Sequence, residues 1–367
     1  MGWYFAFIGL ALVQWFLFYP NGKIPLESEV ATRHNRKFAI RICVELILFA
    51  GLRATWIGAD TGVYLRALNY YASFPKGEIL GAKLVYPFDF EAGYFLLTKL
   101  CALVGMNETQ FLLLIAVIIY VPLFRFFYKY SENPLLSLTI WFAFGFFGYS
   151  LGIFRQTIAI SIILCGFSYI KDRQMVRYLL VVVLASTCHL AALVAIPLYF
   201  FYQIDVKKLL VWVLIAEVVV FVWARTILLF VLRFIPQYSG YINGRYDLQG
   251  RGNTMLVVLN ILLLAGYYIY CKKEKETQDS AMHICVNAMM VAVVLQAMAH
   301  AMAIFGRLIP YYSTYMVLLI PKCISRYFDQ KSRVFATAIV FVLMMVIFYI
   351  LHIGNVKLCP YQFIWEV

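Results

Sequence analysis

The residues in this sequence that could do chemistry are those least suited to lipid, and they stand at the ends of apolar runs. Gly51-Leu52-Arg53 precedes Ile57-Gly58-Ala59-Asp60-Thr61 and then Tyr64. Glu91 opens a short apolar stretch, Phe154-Arg155-Gln156-Thr157 opens a longer one, and Ser186-Thr187-Cys188-His189 sits where two short runs meet. Arg245 and Arg251 lie in a loop rich in tyrosine and glycine, and Arg307 leads into Pro310-Tyr311-Tyr312. An ionisable group at membrane depth is costly and faces a partner or a wet cavity. An imidazole or a carboxylate there could move a proton, and tyrosines beside arginines suit a sugar, whose rings stack on aromatic faces. Each group also has a plain structural reading. Arg53 could pair with Asp60 in a turn where Asp60 and Thr61 cap the next helix. Arg155 could anchor a helix end, His189 could hydrogen-bond at a kink, and Arg245 and Arg307 could touch lipid headgroups.

Positioning these groups falls to helices. Of 367 residues, 64% are hydrophobic and 13% charged, with a mean hydropathy of +0.82, too little polar surface to cover a soluble globule of this size. Lipid must be the main solvent, and continuous rather than alternating apolar runs exclude a β-barrel. The net charge of +13 comes from short basic clusters between apolar runs, not from a long basic face, so no nucleic-acid partner is expected. The eight cysteines form no CxxC pair or metal-spaced set. The run from Trp3 to Tyr19 lacks a basic leader and a cleavage site, and reads as a first span rather than a signal peptide.

A window of about 20 residues predicts about twelve spans, near 3–19, 38–57, 108–128, 134–150, 152–170, 178–190, 190–203, 209–230, 254–271, 282–303, 307–320 and 333–352. Under this alternation the linkers with Arg33, Arg36 and Lys37, with Arg125 and Lys129, with Lys171, Arg173 and Arg177, with Lys207 and Lys208, with Lys272, Lys273 and Lys275, and with Lys322, Arg326, Lys331 and Arg333 share one side. Positive charge marks that side as cytoplasmic, which leaves every candidate residue at external helix ends or in external loops. Residues 58–105 are then an external excursion with interfacial helices, in which 91–105 dips partway into the bilayer. Residues 231–253 form a second external loop, and the whole chain, 1–367, is a single all-α integral membrane domain.

The order of motifs resembles the EpsG family of Wzy-like bacterial polysaccharide polymerases. The resemblance rests on GLRxxxIGxDTxxY after an early span, a glutamate about 30 residues on, FRQ before a span, STCH, and Arg307 with PYY, from about Arg41 to Pro321. It implies a GT-C-type glycosyltransferase of the bacterial inner (cytoplasmic) membrane. Such an enzyme joins undecaprenyl-diphosphate-linked oligosaccharide repeat units on the outer face, making O-antigen, capsule or exopolysaccharide. Membrane lipids surround it, and a chain-length regulator and a flippase are natural partners. That reaction needs a base for the acceptor hydroxyl and cations for the departing diphosphate. Arg53, Arg155, Arg245, Arg251 and Arg307 are expected to bind diphosphate, with Thr61, Tyr64, Gln156 and Tyr311 on the substrate. Asp60, Glu91 and His189 stand as alternatives for the base. No external DxD spacing is present, so no metal or other cofactor is expected. A lipid-linked oligosaccharide flippase or transporter, an O-antigen-type ligase and a membrane O-acyltransferase are the rival readings. A transporter should show repeat symmetry and polar segments near midplane, whereas an acyltransferase gives several arginines no role.

Overall fold

The computed structural model describes residues 1–19, 28–83, 90–201, 203–233, 253–273, 280–301 and 303–366. They form helices α1 (Gly2–Phe18), α2 (Ser28–Gly51), α3 (Thr61–Ala72), α4 (Ala92–Leu103), α5 (Glu108–Tyr130), α6 (Pro134–Ala143), α7 (Phe146–Gly152), α8 (Phe154–Cys165), α9 (Phe167–Lys171) and α10 (Met175–Cys188). A 3-10 turn (Leu190–Ala195) leads to α11 (Ile196–Phe201), α12 (Val206–Leu232), α13 (Asn253–Lys273), α14 (Ser280–Ala301), α15 (Pro310–Ser313), α16 (Met316–Tyr327) and α17 (Gln330–His352). Among the described residues the fold is all-helical, with one isolated bridge between Arg53 and Phe363.

Helix starts follow local chemistry. The Asn107 side chain accepts the Gln110 N–H while the Gln110 side chain accepts the Asn107 N–H, a capping box that opens α5. Asn133 caps α6 ahead of Pro134 at its first position, and Asp329 caps α17.

The expectation of about twelve spans is not confirmed. Among the described residues, five helices are long and apolar enough to cross a membrane: 108–130, 206–227, 254–272, 280–299 and 330–352. The number is six if α6 and α7, bent by 68° at their junction, form one broken span. Several runs counted as crossings are helices of 10–17 residues, namely α1, α8, α10 and the segment Leu190–Phe200. Hydropathy registers composition but not the breaks at Phe144-Gly145, Ile153, Gly166 and His189 that shorten these helices. α2 is long, but it carries Arg33, Arg36, Lys37 and Arg41.

The chain divides into two compact units. The first comprises residues 1–169, 176–193 and 328–367. Within it α2 packs along α5, α5 along α8, α6 along α17 and α3 along α4. An aromatic core of Tyr4, Phe49, Phe142, Phe147, Phe348 and Tyr361 lies between α1, α2, α6, α7 and α17. After α17 the chain folds back on the turn that follows α2. The Gly58 N–H donates to the Lys357 carbonyl at 2.8 Å, the Ala54 N–H to Gln362 at 2.8 Å, and the Ile364 N–H to Leu52 at 2.9 Å. The second unit, residues 170–175 and 194–327, is built around α14, which packs on α12, α13, α15 and α16.

Candidate functional site

Three segments far apart in sequence meet at Glu91. Its Oε2 accepts from Arg155 Nη1 at 2.5 Å. Its Oε1 lies 3.0 Å from His189 Nδ1 and accepts the Leu190 N–H at 3.0 Å. All three side chains reach the surface of the first unit, with 24% of Arg155, 21% of Glu91 and 16% of His189 exposed.

Local sequence explains each approach. Glu91 is the N-cap residue of α4, in extended conformation. His189 follows the last turn of α10, where the helix gives way to the 3-10 turn, so that the Leu190 N–H is available for the carboxylate. The two helix ends come together because residue 93 has no side chain. A Cβ on Gly93 would stand 2.3 Å from Thr187 Oγ1 and 2.9 Å from the Thr187 carbonyl oxygen. Arg155 lies in the first turn of α8, after the break at Ile153.

Around this cluster the walls are aromatic. The Arg155 guanidinium sits 5.1 Å from the Phe90 ring centre and hydrogen-bonds the Tyr64 phenol. Tyr64 stacks on Phe154 at 4.7 Å and meets Tyr94 edge-on at 5.3 Å. Burial pushes the Glu91 carboxyl up, but bonds from His189 and the Leu190 N–H together with the Arg155 charge outweigh it and hold the group down at about 2. Glu91 is therefore an anion at any physiological pH. An ionised carboxylate can only accept, so His189 Nδ1 donates to it and Nε2 is the ring nitrogen directed elsewhere.

Arg53 takes a different place. The residue is 2% exposed, and its guanidinium donates to the carbonyls of Leu151 at 2.7 Å, Ile57 at 3.4 Å and Ala50. It pairs with main chain rather than with Asp60. Thr61 likewise donates its hydroxyl to Ile57 at 2.8 Å and Leu151 at 2.9 Å. Asp60 stands at the N-cap of α3 without a side-chain capping bond and is exposed. Gly58, at φ +108°, lets this turn run against α7, since a Cβ there would stand 2.1 Å from the Leu151 carbonyl oxygen. Arg53 and Thr61 thus tie the turn after α2 to the end of α7, three residues before Phe154 and four before Arg155.

Residues 37–363 match the family model of EpsG. The chain belongs to the EpsG family. EpsG proteins are Wzy-like polysaccharide polymerases, and the apolar helices agree with a multi-pass membrane protein of that kind. No curated protein and no solved structure matches this EpsG chain.

The remaining predicted residues of this EpsG protein are Gln156, Arg307, Tyr311, Arg245 and Arg251. Gln156 is buried beside Arg155 in α8. Arg307 is exposed at the end of a 3-10 turn, and Tyr311 is buried in α15, both in the second unit. Arg245 and Arg251, with residues 234–252 of the expected 231–253 loop, lie outside the described residues. Among the described residues no three His, Cys, Asp or Glu side chains gather as a metal site. Reading the sequence missed the Leu190 N–H, the Phe90 face and the C-terminal segment at residues 357–364, which no local motif announces.

Proposed function

We propose that this EpsG protein polymerises a polysaccharide by joining oligosaccharide repeat units carried on undecaprenyl diphosphate, at the outer face of the bacterial cytoplasmic membrane. The observation that carries the reading is Glu91 holding Arg155 and His189 together at one partly exposed point. His189 Nε2 takes the proton of the acceptor hydroxyl as that oxygen attacks the anomeric carbon of the donor. The bond from that carbon to the diphosphate oxygen breaks, and its electron pair leaves with undecaprenyl diphosphate. Glu91 fixes the imidazole tautomer and stabilises the imidazolium that forms, as a carboxylate does behind a general-base histidine. Arg155, held by Glu91 and Tyr64, places its positive charge beside the diphosphate, whose charge grows during departure. Tyr64 supports that arginine, and Arg53 and Thr61 hold its helix in place.

Outer-face placement is supported by charge. The cluster belongs with α3, whose Asn69 bonds Glu108 at 2.7 Å at the start of α5, whereas Arg125 and Lys129 lie near the other end of that span. The reaction proposed uses no resident metal. Purified protein incubated with a polyprenyl-diphosphate-linked repeat unit, with chelator present, should give a ladder of products and free polyprenyl diphosphate. Transfer of a preformed glycan to a separate acceptor without a ladder would favour a ligase. Movement of the unit between leaflets without any new glycosidic bond would favour a flippase.

A further inference from the structure

We propose that a pocket near the far end of α5 from the Glu91 cluster binds the phosphate of an anionic phospholipid. The pocket holds about 160 Å³ and its polar wall includes Arg125, Lys129, Ser168 and Tyr169, while Leu164 and Val181 are among its apolar lining. Arg125 and Lys129 are four residues apart, so they share one face of α5 and repel each other unless an anion lies between them. Neither makes an ion pair among the described residues. Arg125 precedes the end of α5 at Tyr130 by about 7 Å of helix, which is the depth of the headgroup layer next to a hydrocarbon core of about 30 Å. Two cations, a hydroxyl and a phenol at that depth match a phosphodiester, and the apolar wall matches the acyl chain beneath it. A basic pocket between spans on the positively charged side is where a lipid headgroup is held. The lipid is assigned as the source because a soluble phosphate would leave the apolar wall uncovered.

Cys165 also lines the pocket and is exposed, so its alkylation by a maleimide reports occupancy. The full chain is placed in nanodiscs of phosphatidylcholine, alone or mixed equally with phosphatidylglycerol, and each thiol is followed by peptide mass spectrometry. Phosphatidylglycerol should slow Cys165 by roughly tenfold and leave Cys271 unchanged. Arg125→Gln with Lys129→Gln should abolish the protection, and Arg125→Lys should keep it, with wild-type alkylation of Cys271 showing that each variant is folded. Equal Cys165 rates in the two lipids would overturn the proposal, as would protection that survives the double substitution. Protection by glycerol phosphate in pure phosphatidylcholine would do the same, by marking a site for soluble phosphate. None of these readouts depends on polymerase activity.

Discussion

Glu91 is anionic too far down the pH scale to accept a proton in the working range, and the proposed reaction for that reason uses His189 rather than this carboxylate as its base. The carboxyl is held at about 2 against an ordinary 4.5, so it stabilises the folded state fully above about pH 4.5, and that stabilisation is lost as pH falls toward 2. Thermal unfolding in detergent should show this acid sensitivity in the wild type, and it should be reduced in Glu91→Gln. Activity separates the partners further. His189→Ala should lower turnover by roughly 10²- to 10⁴-fold, while leaving insertion intact. The two arginines differ in kind. Arg155→Ala should cost on the order of 10²- to 10³-fold in rate with little loss of folded protein. Arg53→Ala strips donors from three buried or part-buried carbonyls and should destabilise the first unit by about 3 kcal/mol, seen as a lower unfolding temperature. An Arg155→Ala variant as active as the wild type would refute its place on the diphosphate.

Between residues and molecule stand the helix ends, and the site exists because two of them touch. Gly93→Ala places a methyl against both the side chain and the carbonyl of Thr187, so the first turn of α4 must retreat from α10 and Glu91 with it. Activity should fall by an order of magnitude or more, as a displacement of about 1 Å does to an aligned site. Thr187→Gly in the same chain should restore part of it, because the carbonyl clash remains. Undiminished activity in Gly93→Ala would show that this approach does not set the site. The sequence read well at this scale wherever the signal is local. Asp60 does stand at a helix N-cap, and His189 does stand at a break between two short helical legs. What it hid was long-range. Nothing near residue 91 says that its carboxylate meets residues 155 and 189. Nor does anything near Arg53 show that its guanidinium turns inward to Leu151, or that residues 357–364 come back to bind the turn beside it. The bend between α6 and α7 was hidden for a related reason, since an apolar run scores the same whether straight or broken.

For the membrane protein as a whole, the decisive property is sidedness, and the first unit carries two independent rulers for it. α5 and α17 are each 23 residues long, about 34 Å of helix, enough to cross a hydrocarbon core of about 30 Å. At one end of α5 is the Asn69–Glu108 bond that ties it to α3. At one end of α17 the chain turns back through Lys357 to Gly58 and through Gln362 to Ala54. The opposite ends hold Arg125 and Lys129 on α5, and Lys331 and Arg333 on α17. Both rulers set the turn after α2 and the Glu91 cluster away from basic helix ends, and the proposed outer-face placement requires that those ends face the cytosol, in line with the positive-inside tendency. Arg66 is exposed on α3 and Lys331 is exposed at the start of α17, so a cysteine at either place is open to reagent. In intact cells a membrane-impermeant maleimide should label Arg66→Cys, and should label Lys331→Cys only after permeabilisation. Native thiols resolved by peptide mass spectrometry supply the comparison. The reverse pattern would turn the Glu91 cluster toward the cytosol, where a lipid-linked unit already flipped outward could not reach His189. Labelling of both residues from outside would mean that α17 does not cross, and one of the two rulers would be lost.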